Sequence, residues 1–241
     1  MRCCSRSSNP PATPLPDPQS YASPPCLAGE IAPDYFDPLA VDPQQAVDVA
    51  RWRRAERARL ADLRQALGQA GRAEVSARIG GHLAALLAER GIGPGVVLSG
   101  YWPIKGEPDL RPVLTDLHRA GVTIALPVVE RRAAPLVFRR WTPETRMVRG
   151  DWNIPVPPPE ADRLTPDIAL APCLGWDAGC YRLGWGGGYF DRTLAVITPR
   201  PLVIGIALTA ARLATIYPQP HDIALNLILT EDGLAASRTP E

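Results

Sequence analysis

The sequence runs to 241 residues yet holds one lysine, Lys105, beside 25 arginines, and three histidines, His82, His118 and His221. With so little lysine there is no GxxxxGK[ST] phosphate loop, and the scattered histidines form no HExxH zinc pair. Cysteine is equally sparse: Cys3, Cys4, Cys26, Cys173 and Cys180 make an odd set, three of them in a proline-rich head, so no disulfide framework is implied. Cys173 and Cys180, seven apart, fit no CxxC pattern, and a metal centre of soft ligands is not expected. The longest apolar-leaning stretch, residues 201–211, is about half of a membrane span. Residues 1–30 lack the apolar centre of a secretory signal. A soluble, cytoplasmic protein is expected, with no membrane partner. A formal charge of +1 gives no broad basic footprint for nucleic acid.

What is present in excess is proline, 28 residues, of which ten fall within residues 1–43. That head carries two arginines against five acids, has no helical or strand period, and is expected to be a disordered extension. It reads either as a tethering tail or as a mis-called start, with Val41, Val47 or Val49 as alternative initiation points. The remainder, residues 44–241, has a net charge near +4 once the head's −3 is removed. At 46% hydrophobic overall, the chain can bury a sizeable core.

Periodicity predicts helices over 46–67 and 70–90, the second stopped by Gly91. A short strand follows at 96–99, then a helix over 109–120 with Leu110, Val113, Leu114 and Leu117 on one face. Further strands are predicted at 122–126, ending at Pro127, and at 136–141. Residues 142–166 hold six prolines and read as a loop. A strand at 168–171, a helix opening near Tyr189, and strands at 202–208 and 225–229 complete the chain. Strand, helix, strand in this order predicts one doubly wound α/β domain: a single, mostly parallel sheet with flanking helices in a Rossmann-like three-layer arrangement.

The most informative stretch is Arg182 to Leu194, RLGWGGGYFDRTL. Gly184, Gly186, Gly187 and Gly188 remove the Cβ atoms that keep backbone N–H groups from converging on an anion, and a helix N-terminus follows. Arg182 can fork onto a phosphoryl oxygen, and Asp191 is a hard-oxygen candidate for magnesium. Tyr189 stands where a GxGxxG fingerprint needs glycine. Taken on composition, a phosphate cradle and a plain glycine-rich turn are equally open.

The segment resembles the signature of the 5-formyltetrahydrofolate cyclo-ligase family, also called methenyltetrahydrofolate synthetases. The block appears as Pro172, Trp176, Asp177, Gly179, Arg182-Leu183-Gly184 and Gly187-Gly188-Tyr189-Phe190-Asp191-Arg192, with Phe190 replacing a second tyrosine. The resemblance extends over residues 49–233. Arg53 and Arg57 match a Lys and an Arg, four apart on the first helix, that contact ATP phosphates in the family. With Arg64 they fall within about 40° on a helical wheel. Glu107 matches the family's folate-contacting glutamate, and Trp102 another substrate-side position. Trp152, in Trp152-Asn153-Ile154-Pro155-Val156-Pro157, matches a loop over the pterin, where the family has Glu or Gln at Val156. His221-Asp222, Asn226 and Thr230-Glu231 resemble the C-terminal pattern, with Asn226 at the position of a magnesium-contacting aspartate.

The resemblance implies a ligase of one-carbon metabolism that converts 5-formyltetrahydrofolate to 5,10-methenyltetrahydrofolate with ATP as co-substrate and Mg2+. Arg182 and Asp191 are the implied catalytic pair. ATP is assigned to Arg53, Arg57, Arg182, Leu183, Gly184, Trp185, Gly186, Gly187, Gly188, Tyr189 and Phe190. Folate is assigned to Trp102, Glu107, Trp152 and Tyr189, and the metal to Asp191 and Asn226. A monomer or weak dimer is expected. Two competing readings remain: a folate- or nucleotide-binding paralogue without turnover, and an RNA-binding protein using the six arginines between Arg51 and Arg64.

Overall fold

Runs rich in alanine and arginine, free of proline after Pro43, build the opening helices of the computed structural model, which describes residues 43–238. Expectations placed on residues 1–42 lie outside the described residues. Helix α1 (Pro43–Ala66) and helix α2 (Gly68–Glu89) are parted at Gly68, whose φ of +63° is a left-handed conformation that a side chain would disfavour. Gly91, also at positive φ, ends α2 as expected.

The next elements are β1 (Val97–Ser99), α3 (Arg111–Arg119), β2 (Thr123–Val128) and β3 (Val137–Arg140). Short strands β4 (Val148–Arg149), β5 (Pro155–Val156) and β6 (Arg163–Leu164) follow, then β7 (Ile168–Pro172). A hairpin of β8 (Gly175–Trp176) and β9 (Arg182–Leu183) leads into α4 (Tyr189–Val196), β10 (Leu202–Ile206), β11 (Leu227–Thr230) and β12 (Gly233–Ser237).

The main sheet has the order β12-β11-β10-β7-β1-β2-β3-β6. Its centre, β11-β10-β7-β1-β2, is parallel, and the antiparallel strands lie outside it. Alternation along the strands feeds two layers. Ile168 and Leu170 of β7 pack with Ile79 and Leu83 of α2 and Leu114 of α3, whereas Ala169, Ala171 and Val203 pack with Leu60 of α1 and Leu194 of α4. This is the three-layer α/β fold expected from the sequence.

Several local expectations are corrected. Pro127 lies inside β2, opposite Phe138, because β1 ends at Ser99 and the last part of β2 is paired on one side, where a proline is tolerated. The proline-rich stretch 142–166 contains β4, β5 and β6 in addition to loop. The strand at 225–229 is shifted to Leu227–Thr230 and is not the last: Gly233, at φ +106°, turns the chain back into β12.

Candidate active site

The parallel strand order β2-β1-β7-β10-β11 reverses its direction of growth between β1 and β7, and open α/β sheets bind ligands beyond the carboxyl ends of the strands at such a point. Two segments emerge there: the loop after β1 that carries Trp102 and Glu107, and the β8–β9 hairpin with its glycine run after β7.

On the β1 side, Lys105 and Gly106 both adopt positive φ, making a tight turn that brings Glu107 back under the loop. Glu107 is 7% exposed. Its Oε2 accepts the Ile104 N–H at 3.1 Å and its Oε1 accepts the indole N–H of Trp185 at 3.0 Å. Burial pushes the Glu107 carboxyl above its ordinary value, while those two hydrogen bonds and the charges of Arg64 and Lys105 oppose the rise. Lys105 lies 4.5 Å over the Trp185 ring. Trp185 therefore joins the glycine run to the β1 loop, a link that the sequence could not announce across 78 residues.

Arg64 is 1% exposed, donates from Nη2 to the Cys173 carbonyl at 2.6 Å, and leaves Nε and Nη1 without a partner. Burial lowers its pKa, and the charges of Glu107, Tyr101 and Cys173 oppose the fall. The sequence placed Arg64 on one stripe with Arg53 and Arg57 but assigned it no role. The adjacent Cys173 is fully buried and its thiol is pushed up to about 12, which removes it as a nucleophile.

On the β7 side, Asp177 caps the hairpin, accepting the N–H groups of Gly179, Tyr181 and Ile216 at 3.0, 3.2 and 3.0 Å. Arg182 pairs with Asp191 at 3.1 Å and stacks 4.9 Å over Phe190, with its Nε buried and unpartnered. Leu183 and Phe190 are core residues, so their side chains support the cradle from beneath. Gly186 at φ +100° and Gly188 at φ +63° need glycine for backbone reasons, and a Cβ at Gly187 would lie 2.7 Å from the Tyr189 ring. Gly188 is the residue before α4, so the run ends at a helix N-terminus.

The two α1 arginines assigned to phosphate are separated in role. Arg57 donates from Nε to the Gly184 carbonyl at 2.8 Å, and its guanidinium lies beside Gly186, with no hydrogen bond from its terminal nitrogens among the described residues. Burial, then the Arg53 charge, lowers the Arg57 pKa, with Asp222 opposing. Arg53 is inward: Nε donates to Ile216 O at 3.0 Å, Nη2 to Tyr217 O at 2.8 Å, and the fork grips Asp222 at 2.5 and 3.2 Å. Its donors are thereby taken up within the protein. Of the six arginines behind the RNA reading, Arg53, Arg57 and Arg64 are thus turned onto this chain's own carbonyls.

The folate and metal assignments also divide. Trp152, at φ +51° and 62% exposed, stands edge-on to Tyr189 with ring centroids 5.6 Å apart, so these two converge. Trp102 instead packs under Arg111, which lies 4.7 Å over its ring. Val156 is buried in the β4–β5 hairpin. Asp191 accepts the Ile223 N–H on Oδ1 and Arg182 on Oδ2, while the Asn226 side-chain oxygen accepts the Val203 N–H at 2.8 Å. Among the described residues no group of three or more His, Cys, Asp or Glu side chains is arranged to hold a metal ion. The oxygens of Asp191 and Asn226 are already engaged, so this donor set does not fit a magnesium cage.

Comparison with known proteins identifies the family and relatives of the fold. The model of the 5-formyltetrahydrofolate cyclo-ligase family matches residues 49–231. A 5-formyltetrahydrofolate cyclo-ligase from Mycolicibacterium smegmatis is 33% identical over 165 residues, covering 63% of this chain and 84% of that protein. The solved structure of a 5,10-methenyltetrahydrofolate synthetase from Aquifex aeolicus superposes with a TM-score of 0.63 at 25% identity, covering 78% of this chain and 96% of the other. The synthetase from Mycoplasma pneumoniae, at 24% identity and TM-score 0.60, covers 74% and 98% and shares the fold.

Proposed function

Because the chain belongs to the 5-formyltetrahydrofolate cyclo-ligase family, we infer that it is a ligase converting 5-formyltetrahydrofolate to 5,10-methenyltetrahydrofolate, with ATP cleaved to ADP and phosphate. The observation that carries the assignment is convergence at the switch point: the glycine run with Arg57 above it, and Glu107, joined through Trp185. A formamide oxygen is a poor leaving group. Attack of that oxygen on the γ-phosphorus displaces ADP and yields an iminium-like phosphate ester. The neighbouring folate N–H nitrogen then adds to the activated carbon and gives its proton to solvent, and the C–O bond breaks as phosphate departs, leaving the closed methenyl ring. The protein's part is alignment and charge neutralisation. Arg57, the N–H groups of Gly184–Gly188 and Arg182 receive the phosphates. Glu107 holds the folate, and Trp152 with Tyr189 provides an aromatic face for it. Asp191 fixes Arg182, Arg53 fixes α1, and no step is routed through magnesium.

Buried free thiols at Cys173 and Cys180 fit a reducing compartment, which supports the cytoplasm. Among the described residues no helix is long and apolar enough to cross a membrane. The test is ATP-dependent appearance of the methenyl product from purified protein, with ADP and phosphate in equal amounts. Binding of both substrates without product would overturn the ligase and leave the binding paralogue.

A further inference from the structure

The glycine run is faced by three guanidiniums, one at every second position. A Cβ built at Gly184 would fall 2.5 Å from Arg182 Nη1, one at Gly186 3.4 Å from Arg57 Cζ, and one at Gly188 3.4 Å from both terminal nitrogens of Arg192. Arg182 and Arg57 already belong to the cradle. Arg192, the last residue of the Gly-Gly-Tyr-Phe-Asp-Arg block, has no task in the reading above. As the fourth residue of α4 it folds back over the run, donating from Nη1 to the Gly187 carbonyl at 2.5 Å and lying 5.8 Å over the Tyr189 ring. Its charge is not answered within the chain. Asp191, the acid of the same helical turn, is taken by Arg182 and by the Ile223 N–H, and among the described residues Arg192 makes no ion pair. A cation beside the positive end of a helix is disfavoured until an anion stands there. Arg192 is also exposed, so packing does not force it into that place.

We propose that Arg192 is a catalytic residue of the phosphoryl transfer, its guanidinium meeting the γ-phosphoryl group at the Gly188 end of the run. The inference rests on the cyclo-ligase reading. Order along the run supports it. Arg182 and Arg57 face Gly184 and Gly186, whereas Arg192 stands over Tyr189, whose ring is edge-on to Trp152 in the aromatic face given to the folate. The group that passes from nucleotide to folate must lie where those two sides meet. In that step the formyl oxygen forms a bond to the γ-phosphorus, the bond from phosphorus to the bridging oxygen of the β-phosphate breaks, and ADP leaves with the electron pair. Arg192 neither gains nor loses a proton. Its Nε and Nη2, without a partner among the described residues, donate to the phosphoryl oxygens and neutralise the charge spread over them as the bonds exchange.

The experiment compares wild type, Arg192→Gln and Arg192→Lys in steady-state kinetics, and in calorimetric binding of ADP and of a non-hydrolysable ATP analogue. Arg192→Gln should lower kcat about 10²- to 10³-fold, the scale of losing one donor aimed at transition-state charge, with the KM for the folate nearly unchanged. It should weaken the triphosphate analogue about 3- to 10-fold and leave ADP binding as in wild type, because only the γ-phosphoryl group is touched. Arg192→Lys keeps the charge without the fork and should recover part of the lost kcat. A kcat within about threefold of wild type in Arg192→Gln would overturn the proposal. So would ADP affinity that falls as far as that of the analogue, since a bond that merely props the Gly187 carbonyl would disturb the whole run. If wild type forms no product, the ligase reading has failed. Binding then decides the contact alone: it is upheld by a loss of affinity in Arg192→Gln confined to the triphosphate, and overturned by equal effects on both nucleotides or none on either.

Discussion

Replacing Trp185 by Phe removes one atom group of interest, the indole N–H that donates to Glu107 at 3.0 Å, and keeps an aromatic ring beside Lys105. Glu107 then retains the Ile104 N–H, which reaches its other oxygen. A hydrogen bond to a charged group contributes about 1.5–3 kcal/mol, and its loss inside a buried site is felt in full. At about 1.4 kcal/mol per tenfold, kcat/KM for the folate should fall about 10- to 100-fold, while the KM for ATP moves little. The pH profile gives the sharper readout. Burial raises the Glu107 pKa and the Trp185 hydrogen bond lowers it, so the variant's carboxyl must titrate higher than the wild type's. The charged form is lost as pH falls through that value, so the acid limb of kcat/KM should move to higher pH. The other ionisable groups facing Glu107, namely Arg64, Lys105 and Tyr101, stay in place in the variant. The assay is the initial rate of methenyl product formation across the pH range, with thermal unfolding as control. An unmoved acid limb in a folded variant would refute the coupling of the glycine run to Glu107.

The remaining expectations concern the cradle and its supports. Arg53→Ala removes one partner of a buried pair and should lower stability by about 3–5 kcal/mol, read by denaturant titration; an undiminished midpoint would contradict its role. Burial works against the Asp222 charge, but the Arg53 fork and the Gln219 N–H hold its carboxyl below the usual range. The stability this pair contributes is thus present above the unfolded value, about 3.9, and is lost as pH falls through the lower folded value. Arg57→Ala should act on function more than on stability, raising the KM for ATP about tenfold or more with a smaller fall in the midpoint than Arg53→Ala. Gly186→Ala, forced at φ +100°, should cost about 1–3 kcal/mol locally and cripple turnover, and wild-type rates would show that the run adopts another path. Trp152→Ala should leave the midpoint nearly unchanged, because the ring is largely exposed, yet raise the KM for the folate; an unchanged KM would remove the ring from the site.

Legibility in the sequence followed the range of the interaction. The helices, the parallel strands and the glycine run were readable because period, breaker residues and a short motif are local. Strand β12 and the β8–β9 hairpin were missed because Gly-Leu-Ala-Ala-Ser and two-residue strands carry no pattern of their own, and their pairing comes from partners across the sheet. The division between Arg53 and Arg57 was illegible for the same reason. The two residues share a helix face, and Asp222 and Gly184, which separate them, lie 169 and 127 residues away. Asn226 matched a motif by order along the chain, but its oxygen serves the Val203 N–H. Glu107 was correctly drawn to the switch point by its place after β1, whereas its partner Trp185 was grouped with the nucleotide side.

The three inward arginines of α1 bear on how the molecule assembles. Arg53, Arg57 and Arg64 attach the helix to carbonyls at Ile216, Gly184 and Cys173, which belong to loops that exist only once the sheet and its β8–β9 hairpin have formed. A helix docked chiefly by leucines could settle on any apolar face. This one carries cations that are costly to bury without those acceptors. Docking of α1 and closure of the loops around the glycine run are therefore one cooperative event, and slow amide exchange along α1 becomes a direct gauge of an assembled site.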